Sequence, residues 1–133
     1  MLNERGDIEA ALFVAERLCQ GNLSDKRVTG DRLPLEILDT VGTIYRSAGR
    51  FDETIALFQE ATQRYAKEPQ VRLHLGRAYA GRRQYAAAAE QLNLAVTLAE
   101  EKARAALDPA EEAKYQGFAA EARQVLKELP GKS

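Results

Sequence analysis

Few side chains in this sequence are suited to covalent or acid–base chemistry. Its only histidine, His74, could titrate near neutral pH and switch a contact. Its only cysteine, Cys19, could serve as a nucleophile if a base stood beside it. The helix reading below puts two helices between these two residues, so a Cys–His pair is not expected. Metal binding needs several ligands at close spacing, and the sequence has no His or Cys cluster. The carboxylate pairs Glu100-Glu101 and Glu111-Glu112 are of the right type for proton transfer. They fall on helix ends and faces, where solvation and the helix macrodipole account for them. A Gly-rich phosphate loop, a nucleophile elbow and an acidic metal motif are all missing from the sequence. The expectation is a protein that is not an enzyme and takes no cofactor and no metal.

The elements that would carry these residues are helices. Apolar residues recur at helical spacing almost throughout, and no stretch alternates like a half-buried strand. A first helix is expected over residues 6–20, with Ile8, Ala11, Leu12, Ala15 and Leu18 on one face, ended by Gly21-Asn22. Polar residues 24–31 read as a loop. Pro34 suits the first turn of a second helix reaching about Ala48, with Leu38, Val41, Ile44 and Tyr45 inward. Gly49-Arg50 makes the turn to a third helix over residues 52–65. Pro69 opens a fourth that ends near Gly81, and a fifth begins near Gln84 and meets no stop until Asp108-Pro109. Asp108, Pro109 and Glu111 form a capping-box start for a last helix over residues 109–129.

Two of these stretches repeat one another. Gly42 and Tyr45 recur as Gly76 and Tyr79, Phe51 as Tyr85, Phe58 as Leu92 and Ala61 as Ala95, each pair 34 positions apart. Glycine, tyrosine, alanine and a large apolar residue at these offsets resemble the tetratricopeptide repeat, a helix pair of that period. The resemblance covers residues 35–100 and implies an all-α, right-handed α-solenoid of about six antiparallel helices. Small residues then sit where paired helices touch: Gly42 and Gly76 on the first helices, and Ala61, Ala88 and Ala95 on the second. Tyr45, Phe58, Tyr79 and Leu92 fill the wedges between helices. The sequence departs from the family pattern in places. Leu38 and Arg72 stand where it often has Trp, Thr54 where it has Ala, and Ala66 and Glu100 where it closes on Pro. Gly81 lies two residues ahead of the expected turn glycine.

The implied organisation is one domain: a half-repeat helix over residues 1–23, a linker over 24–33 and repeats over 35–68 and 69–102. The second repeat has an extended second helix, and a capping helix over 108–130 resembles those that close such arrays. Members of the family bind peptides in a concave groove lined by the first helix of each pair. By position the groove would include Glu36, Asp39, Thr43 and Arg46 from one repeat, with Gln70, Leu73, His74 and Arg77 from the next. Ser47 and Ala80 stand beside them. Chaperone-binding members hold a carboxylate with Lys and Asn where this chain has Asp39, Thr43 and Leu73, so chaperone-tail docking is not implied. The groove instead has an acidic side at Glu36 and Asp39 and a basic side at Arg46, His74 and Arg77. Arg72, Arg82 and Arg83 add charge nearby. Such a surface could hold an acidic segment through charge-assisted hydrogen bonds, although scattered charge is also ordinary on a solvated helix face.

Composition bounds the partners. The 133 residues are 45% hydrophobic and 29% charged, and 19 Lys plus Arg nearly balance 20 Asp plus Glu. That balance gives no reason to expect nucleic acid or an acidic membrane as partner. A lone cysteine excludes an internal disulfide framework, and no run is long and apolar enough for membrane insertion. The expectation is a soluble protein, cytoplasmic if the chain is complete, with a protein or peptide partner. The half-repeat at the start also suggests the C-terminal piece of a longer bacterial array, of the kind tied to envelope assembly or polysaccharide export. An uncovered apolar edge on that half-repeat could support a homo-oligomer.

Overall fold

Prolines and an aspartate set where the helices begin. The computed structural model describes residues 34–130, which hold five helices and, among the described residues, no strand. They are α1 (Leu35–Ser47), α2 (Phe51–Arg64), α3 (Pro69–Gly81), α4 (Tyr85–Ala105) and α5 (Pro109–Glu128). The half-repeat helix, its open edge, Cys19 and the linker lie outside the described residues. Pro69 and Pro109 occupy first-turn positions, where a missing N–H costs nothing. Pro34 stands one place earlier than expected, at the N-cap of α1. At α5 the Glu111 N–H donates to Asp108 Oδ1 at 2.8 Å, the forward arm of the expected box.

The 34-residue period is visible in contacts as well as in residue types. A Cβ on Gly42 would lie 2.7 Å from Phe58 Cζ, and one on Gly76 would lie 2.7 Å from Leu92 Cγ. Each first helix therefore rests its backbone against the large residue of its partner, and only glycine allows that approach. On the second helices, buried Thr54, Phe58 and Ala61 in α2 match buried Ala88, Leu92 and Ala95 in α4. Leu38, Val41, Tyr45, Leu57, Phe58, Ala61, Val71 and Leu75 form one core, and Ile44 packs half-buried beside it. Burying each such large apolar side chain stabilises the fold by about 1.5–3 kcal/mol before entropy is counted. A second core joins Leu73, Ala88, Leu92 and Ala95 to Ala122 of α5. Tyr45 is buried as expected, whereas Tyr79 and Tyr85 are half-buried; Gln59 Nε2 donates to the Tyr79 hydroxyl at 2.8 Å.

The two repeat turns are also copies. Arg50 N–H donates to Tyr45 O at 2.8 Å and Gln84 N–H to Tyr79 O at 2.9 Å, closing α1 and α3 in the same way. The residue before each donor is left-handed: Gly49 at φ 74° and Arg83 at φ 64°. Arg83 thus occupies the place that favours glycine. Gly81 serves another purpose: a Cβ there would meet the Phe51 ring at 2.5 Å. At the positions where the family often has Trp, Leu38 is fully buried, and Arg72 donates to Gln91 Oε1 on α4 at 3.0 Å.

The helix α4 runs for 21 residues against 14 in α2. Ala88, Leu92, Ala95, Ala99 and Ala103 form one buried stripe along it. These mostly small side chains let α5 lie close along α4, with Tyr115, Ala119 and Ala122 as the buried face of α5. This packing brings α5 alongside α3 and makes it a third wall for the groove.

Candidate partner-binding groove

Helical spacing aligns the groove residues. On α1, Asp39, Thr43 and Arg46 fall on one stripe, and on α3, Gln70, Leu73, His74 and Arg77 do the same. Seven of the eight residues expected from sequence line a single pocket of about 180 Å³, which Phe118 and Glu121 of α5 complete. Glu36 is exposed and is not part of its lining. The Thr43 hydroxyl donates to the Asp39 carbonyl at 2.9 Å, which turns it back onto its own helix.

The acidic and basic sides are joined rather than apart. His74 Nε2 stands 2.8 Å from Asp39 Oδ1, so the protonated Nε2 donates to the carboxylate across α1 and α3. His74 is only 8% exposed, and its ring stacks on Phe58, with ring centroids 4.9 Å apart and planes at 26°. Its Nδ1 lies 2.9 Å from where a Gly42 Cβ would be. His74 is therefore a packing residue at the helix crossing, not an exposed reader of ligands. The hydrogen bond from His74 lowers the Asp39 pKa from its ordinary value. Partial burial opposes the shift, and attraction to His74 and Lys114 adds to it.

Arg77 is likewise engaged, its Nη2 donating to Glu121 Oε2 of α5. Arg46 is exposed, and its pKa is lowered by burial first and by repulsion from Arg77 second, with Glu121 acting against both. It remains a cation, as guanidinium does in proteins. Leu73 is 4% exposed and Gln70 8%, so both form the floor of the pocket more than its rim. Of the arginines expected to add charge beside it, Arg72 turns to Gln91 and Arg82 pairs with Asp52 at 2.9 Å. Neither arginine, nor Arg83, is among the pocket residues.

Sequence reasoning did not anticipate Phe118 and Glu121. They belong to a helix outside the 34-residue register, to which the family resemblance assigns only a closing role. Their spacing of three on a helix that must lie beside α3 was the available signal.

A larger, open crevice of about 480 Å³ lies between the end of α4 and α5, lined by Glu100, Arg104, Glu112 and Arg123 among others. Arg123 pairs with Glu100 and Gln116 donates to Glu112, so its polar groups fasten α5 to α4 and to itself. Among the described residues no group of acidic, His or Cys side chains could hold a metal ion, and no helix is long and apolar enough to cross a membrane.

In comparisons with known proteins, residues 45–107 match a family model described as tetratricopeptide repeat. No curated protein and no solved structure matches the chain.

Proposed function

We propose, from the match of residues 45–107 to the tetratricopeptide repeat family, that the chain works as a non-catalytic scaffold binding a partner protein or peptide on the concave face of α1 and α3. Repeats of this kind generally mediate protein–protein interaction. The observation that carries the finer reading is the pocket itself. It opens between first helices of successive repeats, and its size suits a side chain or a short length of backbone. Sites for small molecules usually run to about 300–1,000 Å³, well above the 180 Å³ here. Its charges form a balanced set, Asp39 and Glu121 against Arg46 and Arg77, which favours a partner of low net charge over a polyanion.

The experiment is a display selection of linear dodecapeptides on the full chain, followed by binding measurements on a Thr43→Trp variant. Thr43 is exposed and lines the pocket, so an indole there fills the groove while leaving the core alone. Selected peptides should bind the variant at least tenfold more weakly. Peptides that bind both chains equally would move the partner surface elsewhere.

A further inference from the structure

We propose that Gln70 and Arg77 form a main-chain recognition pair for one extended peptide segment lying along α3. In this arrangement Gln70 Oε1 accepts a peptide N–H and Arg77 Nε donates to a peptide C=O. The inference rests on the groove reading above and specifies its chemistry.

Both atoms are buried and have no hydrogen-bond partner among the described residues. Buried polar atoms are nearly always paired in folded proteins, so two orphans in one pocket call for an explanation. Gln70 is 8% exposed, and both residues line the 180 Å³ pocket. The third such atom, Arg72 Nε, belongs to a side chain that reaches α4 instead. Gln70 offers an acceptor and Arg77 a donor, which complements the one N–H and one C=O that each peptide unit carries.

Spacing supports the same ligand. Gln70 and Arg77 are seven residues apart on one face of α3, or roughly 10.5 Å along the axis. An extended chain rises about 3.4 Å per residue, so about three residues of it span that distance. Charge points the same way. Asp39 is occupied by His74, and the Arg77 head by Glu121. A neutral peptide unit that meets Gln70 Oε1 and Arg77 Nε competes with neither pair. Because the two atoms are shut off from solvent, the segment engages them after small side-chain rotations that keep Arg77 Nη2 on Glu121.

The test uses dodecapeptides selected on the full chain and retained only if Thr43→Trp weakens their binding. Each is resynthesised with a single backbone N-methyl group at successive residues, removing one N–H at a time. One N-methylation should weaken binding to the native chain by about five- to tenfold, the loss of a single hydrogen bond. It should have no effect on a Gln70→Leu chain, which should melt no earlier than the native one because an unpaired buried acceptor has been removed. Similarly, an amide-to-ester change about three residues away should couple to Arg77→Lys, which keeps a cation for Glu121 but lacks Nε. N-methyl effects that are equal in native and Gln70→Leu chains overturn the proposal while leaving groove binding intact. So does a Gln70→Leu chain that melts clearly earlier. A selection yielding no peptide sensitive to Thr43→Trp overturns the groove reading and this proposal with it.

Discussion

Replacing Gly76 by alanine tests the helix-contact argument most directly. In a helix interior, Gly→Ala is intrinsically stabilising by about 0.8–1 kcal/mol. At Gly76 the added methyl would lie 2.7 Å from Leu92 Cγ, 2.8 Å from Leu92 Cδ2 and 3.3 Å from the Ala88 carbonyl oxygen. Leu92 is fully buried, and the nearest atom is its branch carbon, not a movable tip. The backbone carbonyl blocks escape on the other side. Overpacking of this kind costs about 1–3 kcal/mol, and a site with so little freedom belongs in the upper part of that range. The net effect should be a loss of about 1–2 kcal/mol. Gly117, inside α5, has nothing within 4 Å of its virtual Cβ. Gly117→Ala should therefore gain up to about 1 kcal/mol. Equilibrium urea unfolding followed by helical circular dichroism would measure both. A double-mutant cycle sharpens the result. Leu92→Ala alone should cost about 2–5 kcal/mol, but in combination with Gly76→Ala it makes room for the new methyl. The pair should then be less destabilised than the sum by about 1 kcal/mol or more. A Gly76→Ala chain as stable as the native one, or strict additivity with Leu92→Ala, would refute the steric account.

Three further outcomes follow from particular residues. Arg83→Gly should stabilise by about 0.5–1 kcal/mol, since it relieves a left-handed non-glycine residue at φ 64°; an unchanged urea midpoint would show that the turn stores no such strain. Asp108→Ala should cost about 1 kcal/mol through loss of the α5 N-cap, and a thermal melt that does not move would argue against it. The folded-state pKa of Asp39 is lowered, chiefly by the His74 hydrogen bond. Its stabilising contribution is therefore fully present above the unfolded-state value of about 3.9 and is lost as pH falls through the lower folded-state value. Urea midpoints measured between pH 2 and 6 should fall less steeply for Asp39→Asn than for the native chain, and parallel curves would exclude the linkage.

The repeat was legible because its physics is carried by residue types that have few substitutes. A glycine whose missing Cβ admits Phe58 or Leu92 must remain glycine with its large partner at a fixed offset along the next helix, and the whole contact recurs at the 34-residue period. Helix starts were legible for a similar reason, through Pro69, Asp108 and Pro109. The turn around Arg83 was legible too, but the left-handed conformation of Arg83 was not, because hydrogen bonds copied from the first repeat hold a residue there that would not choose that conformation alone. Groove residues could be placed on a face from periodicity, but their mutual commitments could not. That Asp39 is bonded to His74, and Arg77 to Glu121, depends on how α1 and α5 sit against α3. No spacing within one helix encodes those distances. The burial of His74 also escaped the sequence, since its ring fills space that the absent side chain of Gly42 leaves open.

The long α4 gives the groove one rigid jaw. At about 1.5 Å per residue, its 21 residues span roughly 30 Å, against roughly 20 Å for α2, and α5 lies along it over a continuous alanine-rich seam. In a solenoid each element is held chiefly by its neighbours, so compliance is shared unequally along the stack. Any widening of the groove should therefore come from the α1–α2 pair swinging against the α4–α5 hairpin. The Asp39–His74 bond is the clasp that limits how far that swing can go while it holds, and the Arg77–Glu121 pair stays with the anvil.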